Sequence, residues 1–180
     1  PSNNTFSSSA SQDVNFTVVD SNLNTCWYGN DTYTANTTLT NCNTNITTLN
    51  WADGQHNVTI YVNDSANNVN FSQVTFTIDT TFPTWTNNET NLTPSTINGQ
   101  GVYFNITLTD VNPNTYIFSW YNGTSWENTT SSYTNAQEVS LTKTINIDVA
   151  TINWTWYIND SVNNLNQTAV WSVTLLSDDS

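Results

Sequence analysis

The sequence predicts an all-β protein built as two tandem antiparallel β-sandwiches, and three observations predict it. Residues 57–72, NVTIYVNDSANNVNFS, return at 153–168 as NWTWYINDSVNNLNQT, with nine identities in sixteen positions. A segment written twice marks two copies of one module. Wherever the chain is apolar, the apolar residues alternate with Asn, Thr and Ser, the period of a half-buried strand. Helix formers are scarce, with no Met and no long Ala/Leu/Glu/Lys stretch, whereas 8 Trp, 8 Tyr and 7 Phe favour strands.

At 180 residues the chain holds two modules of about 90 residues each, enough for a core apiece. The boundary is placed at 1–82 and 83–180. The linker is Asp79-Thr80-Thr81-Phe82-Pro83, where Pro83 stops one strand run before the next module starts. Residues 1–12 are Ser/Asn-rich and read as a first strand, a tail, or a strand lent to a neighbour.

The elements follow in order. Val14, Phe16 and Val18 face inward, as do Phe104, Ile106 and Leu108 in the second copy. Cys26-Trp27-Tyr28 is matched with Ser119-Trp120-Tyr121, so that Trp27 and Trp120 are the expected core tryptophans. Val58, Ile60 and Val62 match Ile152, Trp154 and Trp156. Val74, Phe76 and Ile78 match Trp171, Val173 and Leu175. Turn residues lie between them at Asp53-Gly54, Asn63-Asp64-Ser65, Asn98-Gly99, Asn122-Gly123 and Asn159-Asp160-Ser161. This spacing predicts about seven strands per module.

Lys143 is the only Lys or Arg, against fourteen carboxylates, for a net charge of -13. Such a chain has nothing to neutralise nucleic-acid phosphates or to hold an anionic lipid surface. No signal-peptide pattern or apolar span is read, and no direct membrane insertion is expected. The start at Pro1 rather than Met suggests a processed or excised segment.

Cys26 and Cys42 are the only cysteines. In an intracellular chain they would be two buried thiols. The missing cations and the density of Asn-x-Ser/Thr triplets favour an oxidising compartment, where a disulfide is expected.

The run Cys26-Trp27-Tyr28, Cys42, Trp51 to Asp64, Asn67-Asn68 and Val74 to Thr81 resembles the immunoglobulin-like repeats of prokaryotic, especially archaeal, surface proteins. The resemblance covers most of the first copy and, in the second, chiefly Asn153 to Thr168. It implies that Asp53-Gly54 marks a corner before the sixth strand and that His56 packs there. It implies immunoglobulin-like sandwiches in general and no particular function, because such domains serve as spacers, adhesins and fibre subunits.

Sixteen Asn-x-Ser/Thr triplets occur, where random placement gives about nine. The glycosylation candidates are Asn3, Asn15, Asn30, Asn36, Asn45, Asn57, Asn63, Asn70, Asn88, Asn105, Asn122, Asn128, Asn153, Asn159 and Asn166. Asn91 is set aside because Pro94 follows its Thr. Strand alternation itself writes some triplets, such as Asn15-Phe16-Thr17 and Asn105-Ile106-Thr107. Those in turns have no such origin.

Other chemistry has less support. The aromatics read first as core, with Tyr61, Tyr157, Trp85 and Trp126 left as candidates for stacking on sugar. Asp20, Asp79 and Asp110 are candidate neighbours of the module junction, and Asp64 and Asp160 occupy equivalent turns. Structural calcium is the lesser reading there, since Asp in such turns is normally a turn former. No catalytic residues, zinc ligands or cofactor are nominated: the lone His56 has no nucleophile motif beside it, and the Glu residues are scattered.

The resulting expectation is a non-enzymatic structural subunit of an extracellular or cell-surface filament or surface assembly. Covalent N-linked glycans are its only attached groups. It self-associates into a polymer, with strand lending by residues 1–12 as the device. The alternative is an adhesin or carbohydrate-binding surface module.

Overall fold

The computed structural model describes residues 1–31, 36–47 and 49–177. The described residues are strand, turn and loop throughout, and they divide into two compact units, Pro1–Thr81 and Phe82–Ser180.

The first unit contains β1 (Thr5–Ser7), β2 (Leu23–Asn30), β3 (Asn36–Thr38), β4 (Gly54–Asp64) and β5 (Val69–Ile78). They form one sheet in the order β1-β5-β4-β2-β3. The duplicated segment supplies the β4–β5 hairpin, paired from Gly54↔Ile78 to Asn63↔Val69. Its inward positions Val58, Ile60, Phe76 and Ile78 are buried with Val14, Ile46 and Trp51. Residues 1–12 stay on their own unit. β1 runs parallel to β5, and Trp51 donates its backbone N–H to Ala10 and its indole N–H to the Gln12 carbonyl.

The second unit contains β6 (Thr84–Thr90), β7 (Gly101–Thr109), β8 (Pro113–Tyr121), β9 (Trp126–Ser132), β10 (Gln137–Thr144), β11 (Thr151–Asp160), β12 (Leu165–Gln167) and β13 (Trp171–Thr174). A three-stranded sheet, β10-β7-β6, accompanies a second sheet in which β11 pairs with β8, β12 and β13, and β8 with β9. Val102, Phe104, Ile106 and Leu108 of β7 are all 0% exposed, as are Phe118, Ile152, Trp156 and Ile158 of the other sheet. Two inward faces sharing one core make a β-sandwich.

Three expectations change. The count of about seven strands per module becomes five and eight among the described residues. Val14, Phe16 and Val18 form no strand; among the described residues this stretch carries only the isolated bridge Val14↔Ile46. Its counterpart β7 lies between β6 and β10. In the first unit the matching segment is Asn/Thr-rich, and Cys42 is tied to Cys26 on β2, with 5.6 Å between their Cα atoms. Finally, the match of Cys26-Trp27-Tyr28 to Ser119-Trp120-Tyr121 is three residues out. β2 pairs Cys26↔Val62 and Tyr28↔Ile60, while β8 pairs Tyr116↔Ile158 and Phe118↔Trp156. An odd slip reverses every side chain. Trp120 is in the core as expected, but Trp27 stands on the outer face and Cys26 points inward at 0% exposure.

The last strand also differs between copies. β5 is continuous, whereas its counterpart breaks into β12 and β13 around Thr168. The buried Thr168 hydroxyl mends the break: it accepts the Trp156 N–H at 2.9 Å, while the Thr168 N–H donates to the Trp156 carbonyl at 3.0 Å. Gly123 has φ +93, and a Cβ there would meet the Ala150 Cβ at 2.7 Å, so this turn needs glycine twice over.

Candidate functional site

Strand parity decides where the acceptor asparagines stand. On β4 and β11 the inward partners are apolar, so Asn57, Asn63, Asn153 and Asn159 lie on the other face. Among the fifteen candidates and Asn91, none is buried. Asn3, Asn15, Asn30, Asn36, Asn45, Asn70, Asn91 and Asn128 are exposed, and Asn57, Asn63, Asn88, Asn105, Asn122, Asn153, Asn159 and Asn166 are half-buried. The triplet of Asn30 ends at Thr32, outside the described residues.

The amide geometry sorts them further. A glycan attaches to Nδ2, so a bond made by Oδ1 leaves the acceptor atom available. Oδ1 accepts the Thr75 N–H at Asn3, the Phe16 N–H at Asn45, the Thr75 hydroxyl at Asn57 and the Phe71 N–H at Asn70. Among the described residues Nδ2 is itself engaged at three of these sites. Asn122 donates to Glu127 at 2.6 Å, Asn159 to Asn163 at 3.2 Å and Asn166 to the Pro83 carbonyl at 2.8 Å. A sugar at any of these three displaces a hydrogen bond.

The outer face of the first unit holds a feature that the sequence reading missed. Trp27, Tyr61 and Phe71 sit opposite one another on β2, β4 and β5. Trp27 stacks on Tyr61 with centroids 5.5 Å apart and planes 6° from parallel, and Phe71 follows at 5.8 Å. Tyr61 was a candidate; Trp27 was lost to the register slip. The second unit has Ile117, Tyr157 and Gln167 in the same row. Of the loop candidates, Trp126 is 51% exposed beside Tyr121, while Trp85 packs against the core.

His56 is a packed corner residue. Its ring lies 5.0 Å from Trp51 and 5.6 Å from Phe76. Nε2 faces the Ala52 carbonyl at 2.7 Å, and Nδ1 faces the Asp31 carboxylate at 3.1 Å. The Asp53-Gly54 corner is tied down by the Asp53 carboxylate. It accepts the Thr80 N–H and the hydroxyls of Thr80 and Thr81. Those bonds, the Thr80 backbone bond foremost, hold Asp53 below its ordinary value of 3.8. The Asn68 amide side chain, followed by its N–H, does the same to Asp64.

The structure splits the carboxylate candidates. Asp20 lies beside the Asp64 turn, through Asn22 and Ser65. Asp79 follows Ile78, at the opposite end of the β4–β5 hairpin. Ten paired positions separate these ends, about 30 Å at strand rise, so Asp20 and Asp79 do not share a site. In the second unit Asp110 and Asp160 do meet: both are buried, with carboxylate oxygens within 4.8 Å of one another.

No protein-family model matches the chain, and neither does any curated protein. Solved structures similar to it include the fibronectin(III)-like modules of Clostridium thermocellum CbhA, at 12% identity and TM-score 0.41, covering 98% of this chain and 90% of that one. Chicken CNTN1 FN1-FN3 domains are similar at 11% identity and TM-score 0.42, covering 97% and 66%. Bacteroides ovatus SGBP-B, in complex with a mixed-linkage heptasaccharide, is similar at 15% identity and TM-score 0.34, covering 96% and 43%. At these values none carries an argument about function. The immunoglobulin-like sandwich rests on the chain's own topology and core.

Proposed function

We propose that this chain is a structural, non-enzymatic subunit of an extracellular, N-glycosylated surface assembly or filament. One observation carries the reading: all sixteen acceptor triplets, spread over both units, present an Asn that reaches the surface. Sugars there shield faces that a net charge of -13 with a single Lys leaves without mixed-sign charge. They also block lateral pairing of open sheet edges. The disulfide supports an oxidising compartment.

Strand complementation is the assembly step we favour. β1 is only three residues long, and its Phe6 is 61% exposed. A short parallel edge strand is a weak attachment, and exchange between copies would preserve the β5 ladder while linking subunits head to tail. Native material examined by electron microscopy should show fibres or a layer, and recombinant chain lacking residues 1–12 should stay monomeric. Polymers formed by the truncated chain would refute the strand device; monodisperse native particles would refute assembly itself.

The Trp27–Tyr61–Phe71 row favours a second reading, a sugar-binding surface module. Stacked outward rings match the apolar faces of pyranoses. Glycan-array binding that is lost in Trp27→Ala would establish it.

A further inference from the structure

We infer that the second unit carries a calcium site at one end of its sandwich, held by the Asp110 and Asp160 carboxylates with the Tyr133 hydroxyl as a neutral oxygen. Three loops meet there: β7–β8 brings Asp110, β9–β10 brings Tyr133, and β11–β12 brings Asp160. Asp110 is 5% exposed and Asp160 0%, and their oxygens approach within 4.8 Å.

Two like charges this close, out of water, are retained when something positive joins them. The unit offers no side chain for that task. Lys143, the chain's one Lys or Arg, pairs with Val102 and donates to Thr129. On the same ladder Gln137 pairs with Leu108, six register steps away, or about 20 Å at strand rise. The one His, His56, belongs to the first unit.

Tyr133 is the independent observation. It is 4% exposed and its hydroxyl has no hydrogen-bond partner among the described residues. Burial first, and the charges of Asp110 and Asp160 next, push its ionisation far above the usual tyrosine range. Hydrogen bonds fix its loop beside both carboxylates: Tyr133 donates its N–H to the Asn114 carbonyl, the Asn114 side chain donates to the Asp160 carbonyl, and Asp110 donates its N–H to the Asn135 side chain. Hard oxygens, carboxylates first, are what calcium takes.

Turn formation alone is the bland reading, and the duplicated first unit tests it. Asp110 accepts the Asn112 N–H, and Asp160 accepts the N–H groups of Val162 and Asn164 and the Asn164 side chain. Asp20 and Asp64 make the equivalent bonds to Asn22, Ala66 and Asn68. Asp20 is exposed, however, and Asp64 half-buried. Turn chemistry explains the residue types in both copies, but not the burial of two like charges in one.

The test uses the full chain, stripped with chelator and titrated with calcium alone by calorimetry. Terbium emission excited through the aromatic rings is the second readout. One ion per chain should bind, with Kd in the range of extracellular modules, about 10⁻⁴–10⁻³ M. Asp110→Asn keeps an acceptor for Asn112 and should weaken binding at least about tenfold. Asp64→Asn, in the twin turn, should leave it unchanged. Tyr133→Phe removes one oxygen and should weaken it severalfold. Absence of heat and terbium emission up to about 10 mM ion would overturn the site. Equal losses in Asp110→Asn and Asp64→Asn would overturn it in favour of diffuse acidic binding. Should Asp110→Asn fail to fold, Tyr133→Phe decides, and unchanged affinity there overturns the proposal.

Discussion

Removing the Cys26–Cys42 disulfide should unfold the first unit selectively. The bridge closes a loop of 16 residues. Fixing that loop in the unfolded chain is worth about 3 kcal/mol in the chain-entropy account. The first unit has little else to fall back on. Among the described residues its core cluster is seven buried hydrophobics, including Val14 and Ile46 from segments held by isolated bridges, whereas the second unit's cluster holds sixteen. For a domain of this size each kcal/mol moves Tm by roughly 4–8 °C. The double variant Cys26→Ala/Cys42→Ala should therefore lower the first unit's transition by about 12–24 °C. Differential scanning calorimetry reads both transitions. Tryptophan fluorescence assigns them, because only Trp27 and Trp51 of the 8 Trp lie in the first unit. A fall of less than about 4 °C, equivalent to under roughly 1 kcal/mol, would refute the loop argument. An equal fall in the second unit's transition would refute the claim that the bridge acts locally.

Two further outcomes follow from single bonds. Thr168→Val leaves the buried Trp156 N–H without its acceptor, so the second unit should lose about 1–3 kcal/mol in urea unfolding, and Thr168→Ser should recover most of it; a neutral Thr168→Val would show that the hydroxyl does not mend the strand break. Asp53 is held below 3.8 in the folded chain, so its contribution is whole above that value and is lost as pH falls through the depressed one. The Tm difference between wild type and Asp53→Asn should be constant from about pH 7 to 5 and close below pH 3.8; a difference that widens on acidification would contradict the three threonine bonds.

The sequence disclosed those features that depend on local alternation. Phe104, Ile106 and Leu108 read as an inward face and are fully buried. The duplicated hairpin read as strand, turn and strand, and β4–β5 is that. Features that depend on a partner strand were not legible. Val14, Phe16 and Val18 alternate as well as β7 does, but a strand needs neighbours to hydrogen-bond, and among the described residues the one bridge this stretch makes is Val14↔Ile46. Trp27 shows the second limit. An aromatic triplet looked like its counterpart, but only cross-strand pairing fixes parity, so a three-residue slip concealed the Trp27–Tyr61–Phe71 row. Asp110 and Asp160 show the third. Asp160 stands in an Asn-Asp-Ser turn that the sequence announces, yet its meeting with Asp110 joins two loops far apart in the chain. The acceptor triplets were the most legible feature, because a triplet is local and its exposure follows from period two.

Glycopeptide mass spectrometry of the native protein tests the central claim most directly. The account predicts an intact mass well above the 20.1 kDa of the polypeptide. Hexose-containing adducts should sit on Asn3, Asn45, Asn57 and Asn70, whose amide oxygens make the bonds and whose nitrogens make none among the described residues, ahead of Asn122, Asn159 and Asn166, whose nitrogens are bonded. Native chain at the bare polypeptide mass, with every asparagine unmodified, would contradict it.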